Sequence, residues 1–179
     1  MIEIIEANKK HIGDIAQCDG TYIVTRELVL HLTDRVLSYS IINVNPYEKK
    51  YSDPSADNVG LHEKSDIIFL AYRDSELAGQ VSISRHWNNF AHINNLVVDH
   101  RVRRSGVGKK LVLRAIEWSV EQSLAGLMLE TQTNNVPACE LYESCGFALK
   151  GFDGSLYVGL GNGNNEIALF WYWIRPKDA

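Results

Sequence analysis

The stretch Leu96-Val97-Val98-Asp99-His100-Arg101-Val102-Arg103-Arg104-Ser105-Gly106-Val107-Gly108-Lys109-Lys110 decides the fold of this chain. Its apolar, β-branched start predicts the end of a buried strand. After the glycines, apolar residues recur with a period of about 3.6 and predict a helix over residues 105–124. Strand, turn and helix thus follow one another directly. Free backbone N–H groups at a helix start form a site for an anion, which the helix dipole reinforces.

The composition of the turn suits a phosphate. Gly106 and Gly108 lack a Cβ, so a phosphate can approach the backbone closely. Positive charge comes from six basic residues: Arg101, Arg103, Arg104, Lys109, Lys110 and Arg114. The alternative is that the two glycines only allow tight packing of the helix on the strand, with the basic residues on a solvated face.

Two better-known glycine motifs are excluded by the residues themselves. A Walker A loop has a glycine where this chain has Arg103, and a Ser or Thr where it has Lys110. A dinucleotide fingerprint requires a third glycine where this chain has Leu111. Both motifs therefore fail, and the choice between an anion site and tight packing stays open.

Outward from the turn, the pattern predicts one mixed sheet with helices on its faces. Predicted strands are residues 2–6, 37–44, 66–72, 77–85, 91–98, 126–132, 147–152 and 167–174. Predicted helices are residues 8–16, 25–34, 105–124 and 135–144. Residues 47–64 are predicted to be a surface loop and residues 159–165 a glycine-rich turn. The strand-helix-strand order after residue 91 predicts parallel neighbours in that part of the sheet.

Length and charge limit the class of protein. The 179 residues suffice for one domain, and 45% hydrophobic with 22% charged residues is typical of a soluble globular protein. A net charge of -4 disfavours nucleic acid as a partner and suits a cationic substrate. The chain shows neither a signal peptide nor an apolar run long enough to span a membrane.

The cysteines and histidines point to a cytoplasmic protein without a metal. The three cysteines, Cys18, Cys139 and Cys145, are an odd number and are expected to be reduced, which favours the inside of the cell. Together with the six histidines they lack the spacing of metal ligands. We therefore expect no metal, no nucleic acid and no membrane as partners.

At these residues the chain resembles the GNAT superfamily of N-acetyltransferases. The superfamily's pyrophosphate motif, [QR]-x-x-G-x-[GA], matches residues 103–108, although Arg104 and Ser105 stand where a glycine and a basic residue are more usual. A second matching element follows downstream: Asn135-x-x-Ala138-x-x-Leu141-Tyr142-Glu143-x-x-Gly146-Phe147. The resemblance implies one α+β domain over residues 1–179, with a mixed, mostly antiparallel twisted sheet of about seven strands flanked by about four helices.

The resemblance also implies acetyl-CoA as co-substrate and assigns residues to it. Its pantetheine arm would lie along Leu96, Val97 and Val98, where a backbone amide would polarise the thioester carbonyl. The pyrophosphate contacts implied are Arg103, Arg104, Ser105, Gly106, Val107, Gly108 and Lys109. Asn135 and Ala138 would contact the CoA arm, although Asn135 is equally suited to cap a helix.

Two residues are implied for the chemistry. Tyr142 occupies the superfamily's tyrosine position and would protonate the CoA sulfur; the alternative is a tyrosine in the core. Glu130 lies on the strand beside the acceptor site and would take the amine's proton through water. Alternatively, Glu130 only neutralises a cationic substrate or forms a local hydrogen bond. His92 and Asn94 on the preceding strand could also face the cleft.

A narrower resemblance is to the streptothricin acetyltransferases. It lies in residues 129–139 (Leu-Glu-Thr-Gln-Thr-Asn-Asn-Val-Pro-Ala-Cys), in the Phe-Trp-Tyr-Trp of residues 170–173, and in the Trp-Asn of residues 87–88. It implies acetylation of the β-lysine amine of streptothricin, with substrate contacts from Trp87, Asn94, Glu130 and Trp171. Two other functions stay open: acetylation of a protein N-terminus or lysine, and a CoA-binding module without turnover. The chain could be a monomer or a homodimer.

Overall fold

The computed structural model of the protein describes residues 1–11, 13–15, 17–50, 65–158 and 166–176. The strands in these residues are β1 (Ile2–Glu6), β2 (Tyr22–Thr33), β3 (Val36–Lys49), β4 (Ile67–Arg73), β5 (Glu76–Arg85), β6 (Ala91–Val98), β7 (Gly126–Gln132), β8 (Ala148–Asp153) and β9 (Ala168–Ile174). The α-helices are α1 (Val107–Glu121) and α2 (Val136–Ser144), and Lys9–His11 and His100–Val102 form short 3-10 helices.

Seven of these strands form one sheet in the order β1-β4-β5-β6-β7-β9-β8, and β2 pairs with β3 in a separate hairpin. The pairs β1/β4, β4/β5, β5/β6 and β8/β9 are antiparallel. The predicted α+β class with a mostly antiparallel seven-stranded sheet is thereby confirmed. The chain divides into two compact units, with the boundary inside β7 between Leu127 and Met128. The single domain predicted for residues 1–179 stays a prediction.

The first unit comprises residues 1–22, 50–127 and 174–179, and its described part is built on the meander of β1, β4, β5 and β6. Helix α1 packs against this meander through a buried stripe: Val107, Leu111, Val112, Ala115 and Trp118. Gly79 on β5 permits the close approach. A Cβ at Gly79 would lie 2.8 Å from the Val97 carbonyl oxygen and 3.1 Å from the side chains of Val107 and Leu111.

The second unit comprises residues 23–49 and 128–173. Its described part contains most of the β2/β3 hairpin, helix α2 and the antiparallel pair β8/β9. Trp171 on β9 is buried and packs edge-on against Tyr39 of β3. The backbone N–H of Leu28 on β2 donates to the Thr133 carbonyl at 2.9 Å, which ties the hairpin to the end of β7.

The predicted helix over residues 25–34 is wrong, because this segment is part of strand β2. Even-numbered residues from Tyr22 to Leu30 are buried or half-buried, which is a period of two and not 3.6. Asp34 (φ 51°) and Arg35 (φ 65°) then form the two-residue turn of a β-hairpin. Burial along one face of the hairpin outweighs the weak helical preference of the sequence.

The helix predicted over residues 8–16 is also not formed as expected. Its described part contains only the 3-10 helix Lys9–His11 and a turn at residues 13–15, while residues 12 and 16 lie outside the described residues. Instead of about four flanking helices, the described part of the chain has two α-helices. The long β2/β3 hairpin lies in the sequence where the second predicted helix was expected.

The remaining element predictions agree closely with the structure. β1, β6 and β7 have the predicted bounds, and the other confirmed strands and both α-helices differ from them by a few residues. Tyr47–Lys49 of the predicted loop belong to β3, and residues 51–64 lie outside the described residues. The predicted turn at 159–165 lies outside them as well.

Candidate active site

A buried carboxylate holds the start of the phosphate turn. Asp99 directly follows β6 and is 4% exposed. Its Oδ1 accepts hydrogen bonds from the Arg101 backbone N (3.0 Å) and Nε (2.8 Å), and its Oδ2 accepts from Arg101 Nη2 (3.2 Å) and the Asp19 backbone N (3.4 Å). These bonds, chiefly those from the Arg101 side chain, lower the pKa of Asp99 to about 2. The carboxylate is therefore ionised at neutral pH and fixes the path of the chain out of the strand.

The backbone of the turn has the conformation that an anion site requires. Gly106 caps α1 with φ 90°, and a Cβ at this position would meet nothing within 4 Å. The Lys110 N–H bonds to the Gly106 carbonyl (3.1 Å), so the preceding N–H groups at the helix start lie outside the α-helical ladder. The backbone at Gly106 is therefore open to an approaching group, and a pyrophosphate at these amides stays a prediction.

Arg104 also adopts a left-handed conformation, with φ 62°. This is the position where the GNAT motif more often has glycine. Left-handed backbone costs an L-residue roughly 1–2 kcal/mol, a cost that glycine does not carry. Alternation of left-handed and ordinary residues turns successive N–H groups toward a common centre, a recognised anion-binding arrangement.

Half of the six basic residues at the turn are already engaged within the protein. Arg101 is paired with Asp99, as described above. Arg114 Nη1 contacts Glu121 Oε1 at 3.0 Å, and its guanidinium carbon lies 4.4 Å from the ring centroid of Phe69. Lys110 Nζ donates to the Ile2 carbonyl at 3.3 Å. Carboxylates thus pair with Arg101 and Arg114, whereas Lys110 contacts a backbone carbonyl and forms no ion pair with any described residue.

The other three remain available. Arg103 is half-buried, and its Nε donates to the Val98 carbonyl at 3.3 Å, so its guanidinium lies at the end of β6. Burial lowers the pKa of Arg103 from its ordinary value, although an arginine of this kind stays charged. Arg104 and Lys109 are exposed and form no ion pair with any described residue.

Gly106→Ala should weaken acetyl-CoA binding about tenfold. An alanine at φ 90° is strained by roughly 1–2 kcal/mol, so the free turn relaxes and must regain its conformation on binding. The measurement is the Kd for acetyl-CoA by titration calorimetry. Gly13→Ala is the matched control, since a Cβ there also meets nothing within 4 Å and its φ lies outside the left-handed range. Equal Kd values for the Gly106 variant and the parent would contradict the predicted role of the turn.

Strand β6 precedes this turn. Leu96, Val97 and Val98 are half-buried and pair on one side with Val81, Gln80 and Gly79 of β5. The predicted pantetheine track along these residues stays a prediction.

In the second unit, the Glu130 carboxylate is half-buried and held by two neighbours. Tyr157 Oη donates a hydrogen bond to Glu130 Oε1. Gln132 Nε2 donates to Glu130 Oε1 at 3.3 Å and to Tyr157 Oη at 2.7 Å. The three side chains form a closed triangle of hydrogen bonds at the end of β7.

A second carboxylate lies near this triangle. Glu166 forms an ion pair with Lys49 and accepts a hydrogen bond from Asn134 Nδ2 at 3.2 Å. The pKa of Glu130 is raised, first by burial and further by the charge of Glu166, while Tyr157 and Lys49 act in the opposite direction. Glu130 is thus a stronger proton acceptor than an exposed glutamate.

Tyr142 is 6% exposed and lies in α2 with its ring 5.9 Å from that of Phe147. Its pKa is raised, chiefly by burial and also by the charge of Glu130, so the hydroxyl keeps its proton at neutral pH. At the start of the same helix, the Asn135 side chain accepts from the Ala138 backbone N at 3.3 Å. The helix-capping role of Asn135 is therefore present; contact of Asn135 and Ala138 with CoA stays a prediction.

The residues predicted to bind substrate have very different surroundings. Trp87 is 91% exposed, whereas Trp171 is 1% exposed and forms part of the core of the second unit. Asn94 is exposed, and its Oδ1 lies 2.9 Å from Ser84 Oγ and 3.0 Å from His92 Nδ1. His92 has a pKa lowered mainly by burial, and it contacts the ring of His86. The substrate contacts of these residues stay predictions.

Sequence reasoning missed Tyr157, Gln132 and the Lys49–Glu166 pair. Gln132 had a usable signal, because it lies two residues after Glu130 on the same strand and hence on the same face. Tyr157 and Glu166 had none, because the fold alone brings them to Glu130 from distant positions in the chain.

Comparison with known proteins agrees with this geometry. The acetyltransferase (GNAT) family model matches residues 32–147. A streptothricin acetyltransferase from Escherichia coli is 36% identical over 166 residues, covering 92% of each chain. Streptothricin acetyltransferase A from Bacillus subtilis (strain 168) is 38% identical over 171 residues, covering 95% of this chain and 98% of the relative.

A solved structure supports the same grouping. It is that of a protein assigned as a streptothricin acetyltransferase from Bacillus anthracis str. Ames, in complex with acetyl coenzyme A. The two folds superpose with a TM-score of 0.87 at 34% identity, covering 98% of this chain and 100% of the other. Within the described residues, no three or more His, Cys, Asp or Glu side chains cluster to hold a metal, and no helix could cross a membrane.

Proposed function

The chain belongs to the GNAT family of acetyltransferases, and from this membership we propose that it acetylates an amine of streptothricin. The protein is an acetyl-CoA-dependent N-acetyltransferase. The observation that carries the narrower proposal is the match, over more than nine tenths of the chain, to two relatives named streptothricin acetyltransferases. The amine we propose is that of the β-lysine part of the antibiotic.

Acetyl-CoA, when bound, supplies an acetyl group activated as a thioester. We assign its pyrophosphate to the amides of residues 106–109, with Arg103, Arg104 and Lys109 as counter-charges and Ser105 and Val107 completing the turn. Leu96, Val97 and Val98 would pair with its pantetheine arm. The open left-handed glycine at the start of α1 supports this assignment.

Three proton transfers complete the reaction. Glu130 takes a proton from the protonated acceptor amine, directly or through water, and so frees the nitrogen lone pair to form the N–C bond. Tyr142 gives its hydroxyl proton to the departing sulfur as the C–S bond breaks. The nitrogen then loses its second proton, which restores the Tyr142 hydroxyl, and Glu130 releases the first proton to solvent. A buried carboxylate with a raised pKa and a tyrosine that stays protonated suit these roles.

The charge near Glu130 suits a cationic acceptor. Among the described residues, the charges that interact here are the two carboxylates of Glu130 and Glu166 and one lysine, Lys49. The local excess of negative charge favours binding of ammonium groups. The β-lysine part of streptothricin carries such groups.

The test is release of CoA thiol, followed by a thiol reagent, with streptothricin, a simple polyamine and a peptide amine in parallel. We expect release with streptothricin at far lower concentration than with the other two amines. Release with the peptide but not with streptothricin would overturn the narrow proposal and favour acetylation of a protein amine. Binding of acetyl-CoA without release with any acceptor would favour a CoA-binding module. Cytoplasmic location, oligomeric state and the lack of nucleic-acid and membrane partners stay predictions.

A further inference from the structure

We infer that Tyr157 is the positioning residue for Glu130: with Gln132, it fixes carboxylate oxygen Oε1 and leaves Oε2 for the proton of the acceptor amine. This inference rests on the proposed function, because it assumes that Glu130 is the base. It adds a residue that no sequence motif indicates and that lies 27 positions from Glu130 in the chain.

The geometry carries this assignment. Both donors to Glu130, the Tyr157 hydroxyl and the Gln132 amide, reach the same oxygen, Oε1. The Gln132 amide also donates to the Tyr157 hydroxyl at 2.7 Å, so Tyr157 is oriented as a donor toward the carboxylate. Among the described residues, Oε2 accepts no hydrogen bond from a side chain. One oxygen is held and the other is free to act.

The position of Tyr157 is set by the chain that follows β8. The Ser155 N–H donates to Asp153 Oδ1 at 2.7 Å, and the Val158 N–H donates to the Ser155 carbonyl at 3.0 Å. These bonds form a turn that places Tyr157 near its centre. A glutamate side chain has several rotatable bonds, so a rigid aromatic donor restricts it more than water would.

Among the described residues, the groups that shift the pKa of Glu130 are Tyr157, Glu166 and Lys49, and the Tyr142 hydroxyl also interacts with the charge of Glu130. Glu166 raises the pKa of Glu130, whereas the Lys49 charge and the Tyr157 hydrogen bond lower it. Tyr157 itself stays protonated, since burial and the neighbouring carboxylate raise its pKa. Tyr157 therefore stabilises the ionised, active form of the base, and its removal must shift activity toward higher pH.

The experiment is the pH profile of kcat/KM for Tyr157→Phe. We expect the acidic limb to move up by about one pH unit, because a hydrogen bond to a charged group contributes on the order of 1.5 kcal/mol. The KM for acetyl-CoA should not change. Tyr72→Phe is the matched control, since it also removes a tyrosine hydroxyl that donates to a carboxylate, Asp14 Oδ2 at 2.6 Å, in the first unit. Its acidic limb should coincide with that of the parent.

Two further variants distinguish an error in the positioning role of Tyr157 from an error in the assignment of Glu130 as the base. Gln132→Met, which removes the second donor, should shift the limb in the same direction, and it provides the test if the Tyr157 variant is unstable. An unmoved limb in the Tyr157 or Gln132 variant, beside strong loss in Glu130→Gln, would refute the positioning role and leave the proposed function intact. Full activity of Glu130→Gln with an unchanged pH profile would instead refute the base itself.

Discussion

Tyr142→Phe is expected to lower kcat about 100-fold or more with streptothricin as acceptor, because the departing sulfur loses its proton donor. The ring remains, so its contact with Phe147 and the packing of α2 should be kept. Burial raises the pKa of Tyr142, which therefore stays protonated across the neutral range. The loss should accordingly be the same at every pH from about 6 to 9. Steady-state kinetics at several pH values provide the measurement.

Tyr39→Phe is the matched control for this variant. Tyr39 lies in the same unit, its hydroxyl bonds to Glu143 on α2, and its pKa is raised to about 12, mainly by burial. The Tyr39 variant also loses a tyrosine hydroxyl near α2 but leaves Tyr142, the proposed acid, unchanged. Its kcat should therefore stay within about twofold of that of the parent. If Tyr142→Phe behaved like Tyr39→Phe while both bound acetyl-CoA normally, Tyr142 would be only a core residue and water would protonate the sulfur.

The parts of the fold that the sequence predicts well are those fixed by short-range chemistry. Asn135 accepts from the Ala138 amide one turn later, so residues within four positions of one another mark the start of α2. The glycine that begins α1 is similarly local, because its left-handed backbone depends on Gly106 itself. These two helix starts also lie in the stretches that carry the resemblance to the GNAT superfamily, and it is this resemblance that implied acetyl-CoA.

The β2/β3 hairpin could not be predicted in this way. Residues 25–34 contain leucines and charged residues that are compatible with either structure, and a long strand gains its stability from partners elsewhere in the chain. Arg26 of β2 pairs with Glu140 of α2 at 2.7 Å, and Leu28 bonds to Thr133, all more than 100 positions away. Tertiary contacts between such distant residues decide the structure of this segment, and the sequence of the segment itself does not indicate them.

The same difference between local sequence and long-range contacts applies to the proposed catalytic residues and their neighbours. Glu130 and Tyr142 could be found because each lies in a matched stretch of sequence. The surroundings that set the proton affinity of Glu130 come from Tyr157, Glu166 and Lys49, which no motif connects with it. A sequence motif can thus name a base, but the structure is required to state how strong a base it is.

Glu130→Gln should lower kcat/KM by about 100- to 1,000-fold near pH 6.5, and the loss should shrink as pH rises. The acceptor amine has a pKa of about 10, so without a base only its small neutral fraction reacts, and that fraction grows with pH. The parent should lose activity on acidification through the pKa of Glu130, which burial and Glu166 raise above that of an exposed glutamate. The measurement is kcat/KM for streptothricin from about pH 5.5 to 9.5.

Glu117→Gln serves as the control, since this exposed glutamate lies in the first unit and only approaches Arg114 at 3.7 Å. Its profile should match that of the parent. Glutamine at position 130 can still accept from Tyr157, so the variant removes the charge with little change of shape. A loss of equal size at every pH would mean that Glu130 attracts the cation without taking its proton. Proton removal limits the Glu130→Gln variant only while the amine is protonated. If Glu130 is a base, the kcat/KM values of the variant and the parent should therefore approach each other at high pH.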